Sequence, residues 1–253
     1  MATSPRSRRD RPAKPALSRD AIVAAALEIA AEEGVEAVTM RRLARALDTG
    51  PASLYVYVAN REALEELMLE AAAGEVEVEA TDPERWRAQL HGLLERMGRM
   101  MSERYPGMAK LGMARIPVGP NVMRITESML SLLKAGGASD QAAAYAGDIL
   151  SMYVGAIAYE QSLYAQLTAD PSDLAAEHAR VHQAFLGADP ARYPTVAALA
   201  PQMVRGDGHE RFRLGIDVLI NGLIATPMEG RLSELPAAAL GDGEAWPPDA
   251  PQG

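Results

Sequence analysis

The stretch TMRRLARALDTGPASLYVYVANREAL, residues 39–64, decides how this 253-residue chain is read. Thr39 can cap a short helix through its hydroxyl, and Leu43 and Leu47, four apart, share a face of it. A turn at Asp48 to Gly50 follows. Pro51 suits the first turn of a second helix, where its missing N–H breaks no bond. Leu54 and Val58, again four apart, are expected to face inward, and Asn60 can cap a further helix carrying Leu64, Leu67 and Met68. Two short helices over 39–47 and 51–58, joined by a tight turn, have the geometry of a helix-turn-helix. The first would cross the DNA backbone and the second would enter the major groove.

The remaining side chains of the window suit that task. Arg41, Arg42 and Arg45 project from the first helix, and Arg61 follows the second. Arg41 can offer two donors to a guanine edge, a contact worth about 1–3 kcal/mol of discrimination. Ser53, Tyr55 and Tyr57 supply hydroxyls for phosphate oxygens, contacts that fix register without reading sequence. Pro51 and Ala52 lead the second helix and offer apolar contact, for example to a thymine methyl. With Thr39 at the head of the first helix, these are the candidate DNA-binding residues. The plainer reading makes the arginines a solvated face and the tyrosines partly buried core. Turn, spacing, hydroxyls and charge in one window favour DNA.

Upstream, Ser18 can cap a helix with Ile22, Ala26, Ile29 and Ala30 on one face, closed by Gly34. Residues 1–17 are rich in Arg, Pro, Ser and Ala and are expected to form a disordered basic arm. A solubilising tail without contacts is the alternative. The net charge is −9, but it is unevenly spread: residues 1–62 carry ten basic against eight acidic side chains, and the rest fifteen against twenty-six. Positive charge therefore sits at the end that holds the window.

Downstream the punctuation by Gly and Pro marks helix-length stretches near 83–103, 107–114, 119–135, 139–167, 172–186 and 208–225. The segment 187–207, with Pro190, Pro194 and Pro201, is the least regular. The fold class is all-α: an N-terminal three-helix helix-turn-helix domain over 18–64 and a larger helical domain over 65–226. A tail over 227–253, dense in Pro, Gly and Ala, is expected to be flexible.

Leu54, Tyr55, Tyr57, Asn60 and Arg61 fill the places of a known signature: a leucine–tyrosine pair, an aromatic or histidine two further on, and an asparagine with a basic residue opening the fourth helix. With the basic helix before them, and a first helix over 21–34, they resemble the DNA-binding domain of the TetR family of transcriptional regulators. Asp48 stands where the family's turn usually has glycine, and aspartate tolerates a left-handed conformation better than most residues. The resemblance implies an all-helical C-terminal domain that binds a small effector in its core. It also implies dimers through a four-helix bundle, two C-terminal helices from each subunit, and release of DNA on effector binding.

The C-terminal residues add expectations of their own. The segments 142–159 and 212–224 are apolar nearly all round, which indicates burial on more than one side. Gly147 and Gly155, and Gly215 and Gly222, would let helices approach closely, so these segments are expected to build a homodimer bundle. Internal core helices of a monomer are the alternative. Seven of the thirteen methionines fall between Met97 and Met129. Met97, Met101, Met113 and Met123 could line an adaptable apolar pocket, with Arg104, Tyr105, Tyr153, Glu160, His178 and His182 as polar groups to orient a ligand. Plain core is again the alternative.

His178 and His182, four apart beside Glu177, have a spacing that can hold zinc, but no third ligand accompanies them, and no metal is expected. Family members that sense metal-chelated tetracyclines use a pocket histidine. This chain has none between His91 and His178, so a tetracycline–magnesium effector is not expected. The absence of cysteine excludes disulfides, thiolate metal sites and cysteine nucleophiles. No window approaches the roughly 20 apolar residues of a membrane span, and no signal core follows the basic start, so a cytoplasmic protein with no membrane contact is expected. An enzyme lacks support: there is no Gly-rich phosphate loop, no clustered metal ligands and no serine nucleophile elbow, and no cofactor is expected. The expected function is a sequence-specific regulator, a repressor released from a palindromic double-stranded DNA operator by an unidentified small-molecule effector. An architectural DNA-binding protein without an effector is the competing reading.

Overall fold

The computed structural model describes residues 17–114, 118–167 and 171–226. The expected tail over 227–253 and all but the last residue of the expected basic arm lie outside the described residues. What is described is helical throughout, with no strand among the described residues.

The N-terminal helices begin where side chains can satisfy their free N–H groups. Helix α1 spans Arg19–Glu33, and the Ser18 hydroxyl accepts from the Ala21 N–H at 3.1 Å. Helix α2 spans Met40–Ala46 and is capped by the Thr39 hydroxyl, which accepts from the Arg42 N–H. Helix α3 is the short turn Pro51–Leu54, with proline in the first turn as expected. Helix α4 spans Arg61–Gly74, and Asn60 Oδ1 accepts from the Ala63 N–H at 2.7 Å. Asp48, between α2 and α3, has φ +48°, the left-handed conformation its residue type tolerates.

None of these helices is long enough to be stable alone. Ile22, Ala26, Leu43, Leu54, Leu64 and Met68 supply the missing stability by packing into one core, each at 2% exposure or less. Burial of a large aliphatic side chain there contributes about 1.5–3 kcal/mol.

The remaining helices are α5 (Trp86–Arg99), running into a π-helical turn at Met100–Arg104, then α6 (Met108–Ala114), α7 (Pro120–Ala135), α8 (Asp140–Leu167), α9 (Pro171–Leu186), α10 (Pro194–Met203) and α11 (Gly208–Ala225). Helix α10 lies in the segment whose prolines make it look least regular. Pro194 sits in its first turn and costs nothing there, while Pro201 lies inside the helix and forgoes one N–H bond to the carbonyl four residues back.

The described residues fall into two compact units, whose bounds along the chain are as follows. The first comprises Met1–Glu77, Glu95–Ile125 and Val154–Ala184, and the second Val78–Leu94, Thr126–Tyr153 and Phe185–Gly253. In the first, the loop before α6 is bonded to the end of α1: the Val35 N–H donates to Pro106 O at 2.9 Å, and Lys110 pairs with Glu36. The Gly107 N–H donates to the buried Ser162 hydroxyl at 3.3 Å. In the second, Arg87 and His91 of α5 both bond Asp217 of α11, at 3.1 and 3.0 Å. Those bonds, that to His91 foremost, hold the Asp217 carboxyl below its usual range.

The glycines of α8 and α11 differ in what stands beside them. A Cβ on Gly215 would stand 2.0 Å from the Tyr153 hydroxyl, one on Gly155 3.5 Å from Met113 and one on Gly147 3.8 Å from Leu130. Gly215 therefore makes room for a side chain of this same chain, while a Cβ on Gly155 or Gly147 would be in ordinary contact. Only Gly222 opens onto free space.

Candidate nucleic-acid interface

The buried face of the helix-turn-helix determines what the other face presents. Leu43, Ala44, Leu54 and Val58 are all at 2% exposure or less. With those four turned inward, Thr39, Arg41, Arg45, Pro51, Ala52, Ser53, Tyr55, Tyr57 and Arg61 are left exposed, as the spacing predicts. Tyr55 is 51% and Tyr57 37% exposed, so both rings reach solvent while Tyr57 remains partly covered. Val56, not among the expected residues, is 79% exposed between them. Its signal was present in the sequence, since a residue midway between inward-facing Leu54 and Val58 must point out.

The four arginines divide into two pairs. Arg42 bonds Glu33 of α1 through Nε at 3.1 Å and Nη2 at 2.5 Å, which fixes α2 against α1. Arg61 Nε donates to Glu65 Oε1 at 2.7 Å, one turn along α4. Arg41 and Arg45 make no ion pair with any described residue and are exposed. They are the cations of the window left free for phosphate or base.

The residues expected around a ligand differ in exposure. Met97 is half-buried, Met101 and Tyr105 are buried, and Arg104, Met113, Met123, Glu160, His178 and His182 are exposed, all in the first unit. The Tyr105 hydroxyl donates to Glu75 Oε1 at 2.5 Å. Burial, then this bond to the carboxylate, pushes the phenol up to about 12. Tyr153 lies in the second unit, where its hydroxyl reaches Arg211 O and Phe212 O, both at 3.3 Å, and its ring stacks on Phe212 with centroids 5.8 Å apart. It joins α8 to α11.

A cleft of about 460 Å³ does open in the first unit, but its wall includes Glu75, Glu77, Arg96, Arg99, Glu103 and Arg104. Val76 and Met100 complete the lining, and of the residues expected around a ligand it includes Arg104. Among the described residues, no group of three His, Asp or Glu side chains could hold a metal ion, and no helix is long and apolar enough to cross a membrane.

Comparison with known proteins matches this architecture in two parts. The family model described as bacterial regulatory proteins, tetR family, matches residues 22–68, and that described as tetracyclin repressor-like, C-terminal domain, matches residues 80–226. An HTH-type transcriptional regulator of Saccharopolyspora erythraea is 31% identical over 214 residues, 84% of this chain and 87% of that protein. The HTH-type transcriptional repressor DrrR1 of Streptomyces coeruleorubidus is 33% identical over 83% of this chain and 78% of its own length. The crystal structure of the TetR family protein ActR of Streptomyces coelicolor in complex with actinorhodin superposes with a TM-score of 0.73 at 37% identity, covering 83% of this chain and 98% of that one. A window that folds as a helix-turn-helix and presents free arginines and hydroxyls is thus matched by one model, the helical remainder by the other, and the chain belongs to the TetR family of bacterial transcription regulators.

Proposed function

We propose that this DNA-binding regulator acts as a homodimeric repressor that grips a palindromic operator and lets go when a small-molecule effector binds. The observation that carries the reading is the division of labour in one window: Arg41 and Arg45 stand unpaired beside exposed Ser53, Tyr55 and Tyr57, over a core at 2% exposure or less. Arg41 takes the base-reading role. Arg45 and the three hydroxyls hold phosphates, while Pro51, Ala52 and Val56 offer apolar contact to thymine methyls. Thr39 caps α2, and Arg42 and Arg61 brace the frame from the sides that Glu33 and Glu65 occupy.

Dimerisation is supported by the second unit. Tyr145 and Met152 of α8, seven apart, and Leu214 and Val218 of α11, four apart, are between 40% and 62% exposed. Each pair forms a stripe on one helix face, and large apolar side chains in stripes mark association surfaces. Two recognition helices roughly 34 Å apart then enter successive major grooves. Residues 18–64 form the DNA-binding domain, and residues 65–226 carry effector binding and dimerisation. Met97, Met101, Met113 and Met123 remain the candidates for an apolar effector wall, with Arg104, Glu160 and His182 as polar partners. Tyr105 and Tyr153 drop behind them because Glu75 and α11 already engage their hydroxyls.

Release by an effector follows from differential affinity, typically about 1–3 kcal/mol of coupling. Two relatives support it: DrrR1 is named a repressor, and ActR holds actinorhodin. Work on chromosomal DNA supports a cytoplasmic location, and the reading contains no catalytic step. The test is a fluorescent duplex bearing the preferred site, held by the protein at fixed salt and titrated with aromatic small molecules, beginning with actinorhodin. Loss of anisotropy at micromolar compound supports effector-driven release. Undiminished binding across such a panel would favour an architectural role.

A further inference from the structure

Helix α4 leaves the DNA window and ends against the first turn of α7, and the two helix ends cap each other. The Glu70 carboxylate accepts from the Asn121 N–H at 2.7 Å and the Val122 N–H at 3.3 Å. Asn121 Nδ2 donates back to Glu70 O at 3.1 Å. Arg124 Nη2 donates to Ala73 O at 3.1 Å and Val76 O at 3.0 Å, carbonyls at and just past the last turn of α4. An anion thus sits at the positive end of α7 and a cation at the negative end of α4. Each offsets a helix dipole and satisfies backbone groups that have no partner within their own helix.

The space around the tie is equally specific. A Cβ on Gly119 would stand 2.0 Å from Glu70 Oε2, and one on Gly74 3.0 Å from Asn121 Nδ2. Glycine at both places lets the two ends come this close. Neither end can shift without breaking charge-assisted bonds.

The consequence lies at the other end of α4. Its 14 residues span about 21 Å at 1.5 Å per residue. A tilt of about 10° about the tied end moves the far end, next to the reading window, by about 4 Å, close to the rise of one base pair. We propose that Glu70 and Arg124 are positioning residues for operator binding, and that their tie sets which half-site spacing the protein accepts. This rests on the dimeric operator reading above.

The experiment compares the full-length wild type with Glu70→Gln, Arg124→Gln and the double variant, on duplexes with fixed half-sites whose separation changes by one and two base pairs either way, at one salt concentration. Glu70→Gln keeps the side-chain shape while removing the charge, Arg124→Gln shortens the side chain and removes its guanidinium donors, and thermal melts establish that each variant is folded. The wild type is expected to favour one spacing by roughly tenfold or more, within the usual range of coupling between sites. Each single variant is expected to narrow that preference to about threefold or less with base preference inside each half-site unchanged, and the double variant to go no further than the weaker single, as for residues acting through one tie. Leu133→Val, a buried change in α7 outside the tie, is expected to keep the wild-type profile. Variants that retain the wild-type spacing profile, or lose affinity for every spacing by one common factor, would overturn the proposal. A wild type without any spacing preference would instead overturn the operator reading beneath it, and that is seen before any variant is compared.

Discussion

Arg41 and Arg42 are adjacent in the chain and do different jobs, because successive residues of a helix point about 100° apart. Arg42 turns toward α1 and bonds Glu33, whereas Arg41 turns outward and bonds nothing described. Arg41→Ala is therefore expected to relax preference at one base position, a loss of about 1–3 kcal/mol on the preferred duplex and much less on scrambled DNA. Tyr55→Phe should weaken binding to both by a common factor, as loss of a phosphate contact does. Competition titrations on the two duplexes check this, and equal losses for Arg41→Ala would remove it from base reading. Tyr105 supplies a prediction on pH. Its phenol is raised from 10.0 to about 12 in the folded protein, so folding holds that proton more tightly than the unfolded chain does. The stabilisation is complete below pH 10 and is lost as pH climbs toward 12. Melting temperatures between pH 9 and about 12 should fall less steeply for Tyr105→Phe than for wild type. Parallel slopes would assign the alkaline loss to other groups.

Between elements, Gly215 of α11 lies tight against Tyr153 of α8. Gly215→Ala would put a methyl 2.0 Å from the Tyr153 hydroxyl and displace the ring from Phe212 and from its two carbonyl partners. A destabilisation of about 1–3 kcal/mol is expected from the shift in the denaturant midpoint. In a Tyr153→Ala background the penalty should shrink, since the clashing group is gone. A penalty of unchanged size would place the strain elsewhere. This contact also shows why some features were legible in the sequence and others were not. Ser18, Thr39 and Asn60 cap the N–H three residues ahead, and Asp48 takes up its own left-handed turn, so the information is local. The Tyr153 and Glu70 bonds join residues more than fifty apart, and no spacing rule encodes them. The methionine-rich segment illustrates the same limit. Met101 and Met108 are buried and Met113 and Met123 exposed, because packing partners choose the side, not the methionines. Helix α10 was obscured for a different reason: proline is a breaker in a helix interior but harmless in a first turn.

At the scale of the whole molecule, a chain of net charge −9 approaches a polyanion, so affinity must come from the local cations of one end. Binding is accordingly expected to weaken steeply with salt. In the proposed dimer, doubling the reading surface would compensate for the small number of cations each chain offers. Leu214→Glu together with Val218→Glu should charge the exposed stripe of α11 and convert a micromolar dimer to monomer in sedimentation, while leaving the fold of the N-terminal domain intact. A dimer that survives both changes would move the interface elsewhere. The most direct test of the central claim is selection of bound duplexes from a random DNA pool by the purified protein at stated salt. The account predicts an enriched palindrome with half-sites about one helical turn apart. Enrichment of no sequence, or of a single unpaired half-site, would contradict it.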